Sequence, residues 1–306
     1  MKKKITICIP TYKRNFLLTK LLDSIFCQDI DDGWNYVVNI VVNDNNPNKD
    51  AEFLVEQYKK RQAERSWILG VYYMNCIEKG LVCVRNALVE KAIELKSDYL
   101  LFIDDDEYPV PEWLREITKV VEHTSSEVVI GPVLSYSDMT ICEPLKPYYR
   151  FTKPENDCKL NNLNSGNTLI DVGVFVNWGL RFDMRFNRSG SEDTYLGRQI
   201  IHNGGSIICA HSAIAMEYVP QDRISIKWVI KRIKGIKSAA VKIAYIEHKG
   251  LELFLFVLKS FFSFLMAFLT LPLLVSSGRK KYYPLYRYAI AVGLLTGLFR
   301  NTCNQY

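Results

Sequence analysis

Histidine is scarce in this chain of 306 residues: there are four, and none stands in a His-x-x-x-His spacing. Histidine-ligated zinc chemistry therefore lacks its usual ligand pattern. The eight Cys run from Cys8 to Cys303 without a Cys-x-x-Cys pair or a Cys/His cluster. Thiols scattered this way suit a reducing compartment and argue against a structural zinc site. No Gly-x-Gly-x-x-Gly and no Walker-type loop occurs, which removes the backbone cradles that dinucleotide oxidoreductases and P-loop enzymes use. No internal repeat or low-complexity tract is present. Between Lys4 and Pro10 the chain offers only five mostly apolar residues, short of the roughly 7–15 of a secretory signal; the N-terminus is expected to stay inside.

What is present is globular. Hydrophobic residues make up 48% and charged residues 24%, against disorder, collagen-like repeats or a multi-span transporter. The length suits one large domain with an appendage. The net charge of +6 conceals an asymmetry: Arg223 to Lys249 carries eight Lys/Arg against Glu247 alone, and 250–306 carries six against Glu252 alone, leaving 1–222 with six net negative charges. An acidic body with a basic tail is not the footprint of a nucleic-acid binder, so no nucleic acid is expected as a partner. It fits an anionic membrane surface.

Short apolar runs alternate with amphipathic stretches through the first half, the pattern of a doubly wound, mostly parallel α/β sheet. Strands are expected at Ile5–Ile9, Tyr36–Val42, Ile68–Tyr73 and Tyr99–Ile103, and helices at Leu17–Phe26, Asp50–Arg65 and Leu81–Leu95. Ser135–Ser165 is expected to be loop. A helix at Glu192–His202 and strands at Ser206–Cys209 and Ala213–Val219 follow. Ligands of open α/β sheets bind beyond the carboxyl ends of the strands, where Thr11, Asp44 and Asp104 to Asp106 all fall.

Asp104-Asp105-Asp106-Glu107 is costly as a bare cluster, because close like charges raise one another's pKa and a divalent cation relieves them. Directly after the apolar run Leu100 to Ile103, the string reads as a site for Mg²⁺ or Mn²⁺ shared with phosphate oxygens; an exposed acidic turn is the bland alternative. Asp44 either accepts the imide N–H of a uracil-like base or caps the turn through Asn45, Asn46 and Pro47. Arg85 points its fork at a diphosphate or at the acidic cluster, or pairs on the helix surface. Ser189-Gly190-Ser191-Glu192-Asp193 reads as a helix start with acidic first-turn residues, or as the source of a general base. Trp178 offers a face to a sugar ring or packs in the core. His202 and His211 read as surface or core residues before they read as ligands.

Together these residues resemble the inverting family 2 glycosyltransferases of the GT-A fold. The likeness rests on Ile9-Pro10-Thr11-Tyr12-Lys13-Arg14, Val42-Asn43-Asp44-Asn45, Gly80 with Val84-Arg85-Asn86, Phe102 to Glu107 as an Asp-x-Asp metal motif, and Gly190-Ser191-Glu192-Asp193-Thr194. Gly131-Pro132-Val133, Arg181-Phe182 and the run Glu217 to Arg223 draw it toward bacterial exopolysaccharide glucosyltransferases of the succinoglycan type. The resemblance implies that Pro10, Thr11, Arg14, Asp44, Arg85, Asp104 and Asp105 bind the nucleotide-sugar. It also implies that Asp104 and Asp106 hold a divalent metal, Mn²⁺ or Mg²⁺, and that Asp193 is the catalytic base with Glu192 beside it.

The function it implies is sugar transfer from a nucleotide-diphosphate donor, UDP-linked by family habit, to a hydroxyl of a lipid-linked oligosaccharide acceptor in bacterial surface polysaccharide biosynthesis. A sugar-nucleotide nucleotidyltransferase would share the metal chemistry but leave Glu192-Asp193 and the tail without purpose. A non-catalytic membrane scaffold would leave the acidic cluster without purpose. The expected division is a catalytic domain over 1–222 and a membrane-associating region over 223–306, at the cytoplasmic face of the inner membrane. Ser260 to Ser277 is 18 residues without a charge, near the lower limit for a spanning helix. A span would translocate Arg279, Lys280 and Lys281 against the positive-inside tendency, so a hairpin or an in-plane helix stands beside it.

Overall fold

The protein, a computed structural model, is described for residues 2–142, 145–187 and 189–303. Its strands are β1 Lys3–Thr11, β2 Tyr36–Asp44, β3 Ile68–Asn75, β4 Tyr99–Phe102, β5 Glu107–Pro109, β6 Val128–Ile130, β7 Val133–Tyr136, β8 Cys158–Lys159, β9 Thr168–Asp171, β10 Ile207–Cys209 and β11 Ala215–Tyr218. Its α-helices are α1 Asn15–Phe26, α2 Glu52–Arg61, α3 Leu81–Glu94, α4 Trp113–Thr124, α5 Gly173–Val176, α6 Glu192–His202, α7 Ile226–Ile246, α8 Gly250–Leu269 and α9 Tyr283–Cys303.

Eight strands form one sheet in the order β3-β2-β1-β4-β9-β6-β10-β8. β1 pairs in parallel with β2 and β4, β2 with β3, and β6 with β10. β9 runs antiparallel between β4 and β6. Alternate residues of β1 feed opposite faces: Ile5, Ile7 and Ile9 pack with α1 and α4 residues such as Leu18, Leu22, Trp113 and Ile117, while Cys8 packs with Val84, Leu88 and Phe102. With both faces covered by helices, the central strands can be apolar throughout, as parallel sheets require. The order places β1 and β4 side by side although the chain leaves them in opposite directions, which makes their carboxyl ends the switch point where a crevice opens. A small second sheet, β5-β11-β7, lies beyond it in the same unit.

Two compact units emerge. One comprises 1–136, 151–188 and 192–218; the other comprises 137–150, 189–191 and 219–306. In the second, Val229, Ile233 and Ala289 form a core with Ile141 and Leu145, and Tyr149 stacks on Trp228 at 5.9 Å.

The α/β architecture agrees with the expectation, and α6 begins and ends where the sequence indicates. The interval Ser135–Ser165 is largely irregular as expected, apart from the end of β7, a 3₁₀ turn at Lys146–Tyr148 and the two-residue β8; its residues 143 and 144 lie outside the described residues. The uncharged run Ser260–Ser277 is not one helix. α8 starts earlier, at Gly250, and ends at Leu269, followed by a 3₁₀ stretch at Leu271–Val275. Pro272, with no amide hydrogen and a ring that collides with the preceding turn, stops the α-helix there. The real helix therefore contains Lys259 at its middle.

Candidate active site

Hydrogen bonds tie the strand ends together. Asn45 N donates to Thr11 O at 2.9 Å and Cys76 N to Asp44 O at 3.0 Å, knitting β1, β2 and β3. Asn45 Nδ2 holds the following loop through Cys76 O (2.7 Å) and Glu78 O (2.8 Å). Gly80, at φ 129°, closes that loop before α3; a Cβ there would strike the Asn187 side chain, so only glycine fits both the space and the backbone.

Across the switch point, Thr11 Oγ1 donates to Asp105 Oδ2 at 2.8 Å. Arg14 Nη1 donates to Asp105 Oδ1 at 2.9 Å and to Asp106 Oδ2 at 3.0 Å. Asp105 is buried with these partners, whereas Arg14 keeps 41% of its side chain open. Burial raises the Asp105 pKa, and Thr11 and Arg14 oppose that rise by stabilising the charge. Pro10 lies buried just before Thr11.

Asp104 faces another way. Its Oδ1 accepts from Arg85 Nη2 at 3.4 Å and its side chain is 38% open. Packing raises its pKa, Arg85 lowers it, and the carboxylates of Asp106 and Asp193 raise it again. Asp193 therefore lies close enough for its charge to be felt, although it comes from the start of α6. Asp193 is partly open. Its Oδ1 accepts from Thr194 N at 2.6 Å and its Oδ2 from Ser165 N at 3.4 Å.

Glu192 behaves differently from its neighbour. It is buried and paired with Arg85 Nη1; burial raises its pKa and the guanidinium opposes. Arg85 itself is 3% exposed and sits over the Phe182 ring at 5.7 Å. Its fork thus joins the acidic cluster to α6, the second of the orientations open to it from sequence, and it does not project toward solvent. Asp44 is also buried: Oδ1 accepts from Asn46 N (2.8 Å), and Oδ2 from Ala51 N (3.2 Å) and Tyr73 Oη (3.3 Å). Those bonds are the turn-capping pattern. Trp178 is half-buried against Gly205 and Ile200, the core arrangement. His211 Nδ1 pairs with Asp157 at 2.6 Å.

Three contributors have no role of their own in the sequence reading, where Glu107 figures only as a member of the acidic string. Glu107 is buried, accepts from Asp104 N at 3.2 Å through Oε2 and faces Glu217 across the β5–β11 pairing. Its pKa rises well above the usual range, through burial first and then Asp104, Asp106 and Glu217. Ser165 supplies a backbone amide to Asp193. Asn167, at φ 49° and buried, accepts from Trp113 Nε1 (2.6 Å) and donates to Ala213 O (2.8 Å), fixing the loop that carries Ser165. The only cue was acidic residue type for Glu107; a backbone amide carries no residue-type signal, and Asn167 is set by contacts distant in sequence.

Among the described residues, no group of three or more His, Cys, Asp or Glu side chains is arranged to hold a metal by itself. The two carboxylates nominated from sequence, Asp104 and Asp106, still repel one another although Arg85 and Arg14 offset part of their charge. The pair fits a hard divalent ion that takes its other ligands from phosphate and water, not one caged by protein.

Among solved structures, the chain is similar in fold to S. aureus TarS 1-349 in complex with UDP-GlcNAc (TM-score 0.56, 14% identity, 100% of this chain and 93% of that one) and in complex with UDP (TM-score 0.55, 14% identity, with the same coverage). In sequence it is 25% identical over 232 residues to the succinoglycan biosynthesis protein ExoM of Rhizobium meliloti (strain 1021), covering 74% of this chain and 71% of that protein. It is 21% identical over 249 residues to the glycosyltransferase GlyA of Streptococcus pneumoniae serotype 4, covering 77% of this chain but 33% of that protein. The family model for glycosyl transferase family 2 matches residues 6–185, more than half of the chain, so this protein belongs to glycosyl transferase family 2.

Proposed function

We propose that the protein transfers a sugar, with inversion, from a UDP-linked donor to a hydroxyl of a lipid-linked saccharide during bacterial surface polysaccharide synthesis, at the cytoplasmic face of the membrane. The observation that carries this is that two carboxylates distant in sequence, Asp104 after β4 and Asp193 at the start of α6, lie close enough for the Asp193 charge to raise the Asp104 pKa, with Arg85 tying Asp104 to Glu192 beside it. The role of ExoM in succinoglycan biosynthesis and the UDP and UDP-GlcNAc held by TarS support the polysaccharide and donor assignments.

In this reading the donor diphosphate lies over Asp104 and Asp106, with the open guanidinium of Arg14 beside it. Thr11 and Asp105 hold the end of β1 against the acidic turn, and Asp44 shapes the base-binding side by fixing the loop after β2. A divalent cation bound by Asp104 and Asp106 would neutralise charge on the departing diphosphate. The acceptor oxygen attacks the anomeric carbon from the side opposite the diphosphate. A new C–O bond forms as the sugar–phosphate C–O bond breaks, and the hydroxyl proton passes to Asp193. Glu192 is not the base, because its carboxylate is committed to Arg85; it is a positioning residue. The domain reading follows: residues 1–222 carry the chemistry and 223–306 hold it at the membrane.

A panel of nucleotide sugars with Mn²⁺ and membrane acceptor tests the reading. Release of nucleoside diphosphate with a labelled lipid product is expected. Pyrophosphate exchange instead would make it a nucleotidyltransferase, and silence across the panel would make it a scaffold.

A further inference from the structure

α8 is built inside out for a helix in water. The residues it buries within its own unit are small, Ser260, Ser263 and Ala267, with Ser260 Oγ donating to Ala291 O of α9 at 3.0 Å. The residues it exposes are large and apolar: Leu251, Phe254, Leu258, Phe261, Leu265 and Phe268 recur every three or four positions, and Phe261 and Phe268 are 72% and 71% open. A helix packed on a soluble domain shows the reverse.

The stripe has a direction. At 100° per residue, these six positions and their neighbours Leu255, Phe262 and Leu269 span an arc of about 140°, some two-fifths of the helix circumference. Glu252 and Lys259 both fall on one flank between that stripe and the buried small residues. Lys259 is exposed and Lys237 of α7 is half-buried. Burial, and then the charge of Lys259, lower the Lys237 pKa. Neither lysine pairs with a carboxylate among the described residues. α7 adds Lys227, Lys231 and Arg232, all exposed.

Of the described helices, α8 alone is long and apolar enough to cross a membrane by length and composition. Crossing would set the charge of Lys259 at mid-bilayer, where an ammonium without a partner is costly. Lying flat removes that cost, because the one-sided stripe enters the acyl boundary while the flank stays at the headgroups.

We infer that α8 lies in the plane of an anionic bilayer, its Leu251 to Leu269 stripe in the acyl boundary and Lys237 and Lys259 together on lipid phosphate. This rests on the proposed membrane attachment and goes beyond it in orientation and in lipid preference.

The test uses the full chain with an epitope inserted after Ser277, probed in spheroplasts and in everted membrane vesicles. An in-plane helix leaves the epitope reactive only in everted vesicles. Reactivity in spheroplasts means a crossing and overturns the in-plane inference while attachment stands. Protein that stays in solution without detergent, including as a dimer through the stripe, overturns attachment itself. In flotation with vesicles of phosphatidylcholine and phosphatidylglycerol, Lys237→Gln/Lys259→Gln should bind about thirtyfold more weakly, from roughly 1 kcal/mol per lysine near an anionic surface, with binding to pure phosphatidylcholine unchanged. Equal binding of wild type and variant to the anionic vesicles would overturn the phosphate role.

Discussion

The strand-end cluster and the C-terminal helices spend charge and apolar surface in opposite ways. At the carboxyl ends of β1 and β4, carboxylates are drawn inward and partly neutralised by Arg14 and Arg85. In α8, large apolar side chains stay exposed while Ser260, Ser263 and Ala267 turn inward, and Lys259 stays outside, as do Lys227, Lys231 and Arg232 of α7. The first arrangement makes sense if a charged ligand completes it, and the second if a lipid phase covers it. Each region is unfinished in water, and what each lacks indicates its partner.

The largest expected effect is at the cluster. Asp106→Ala should remove donor binding, and with it at least about 10²–10³-fold of activity, read by calorimetry with UDP-sugar and excess Mn²⁺. Donor binding as tight as wild type would show that the cluster serves structure only.

Next comes the buried pair. Arg85→Leu strands Glu192 without its cation, and breaking such a pair costs about 3–5 kcal/mol, measured by urea unfolding. A loss below about 1 kcal/mol would show that the pair does not hold α6.

In the tail, the expected effect is smaller. A Cβ at Gly293 would come within 2.8 Å of Lys234 O and 2.9 Å of Lys237 Cβ on α7, and Gly297 is equally tight against Val241 and Ser238. Gly293→Leu should destabilise the helical unit by about 1–3 kcal/mol through overpacking, seen as a lowered thermal transition and unchanged donor affinity.

The smallest effect is a pH slope. The Glu107 pKa lies above its unfolded value, so the folded state holds a proton that the unfolded state releases. Stability contributed by that proton is present below the ordinary Glu range and declines as pH rises toward the folded pKa. Glu107→Gln, measured without metal, should flatten this decline; an unchanged slope would show that Glu107 is ionised in the folded protein.

Much of this was legible in sequence because it is local. The apolar runs of β1, β2 and β4 and the polar residues that end them follow from periodicity, and the motif residues do meet. Several elements between Glu107 and Val176 escaped, among them α4 and β9. α4 carries Leu114, Ile117, Val120 and Val121 at helical spacing, but Glu112 at its start makes no side-chain cap to mark it. β9 has four residues, and its antiparallel place between β4 and β6 depends on partners far along the chain. Glu192 and Asp193 are adjacent in sequence, yet successive helical residues point 100° apart, so only coordinates separate the one tied to Arg85 from the one held by Ser165 N.

The most direct test of the account is Asp193→Asn, assayed for sugar transfer and for donor affinity in the same preparation. The amide keeps the shape and loses the basicity, so transfer should fall by about 10²–10⁴-fold while donor affinity stays near wild type. Transfer above about a tenth of the wild-type rate, on the same scale of general-base assistance, would contradict the assignment of Asp193 as the base.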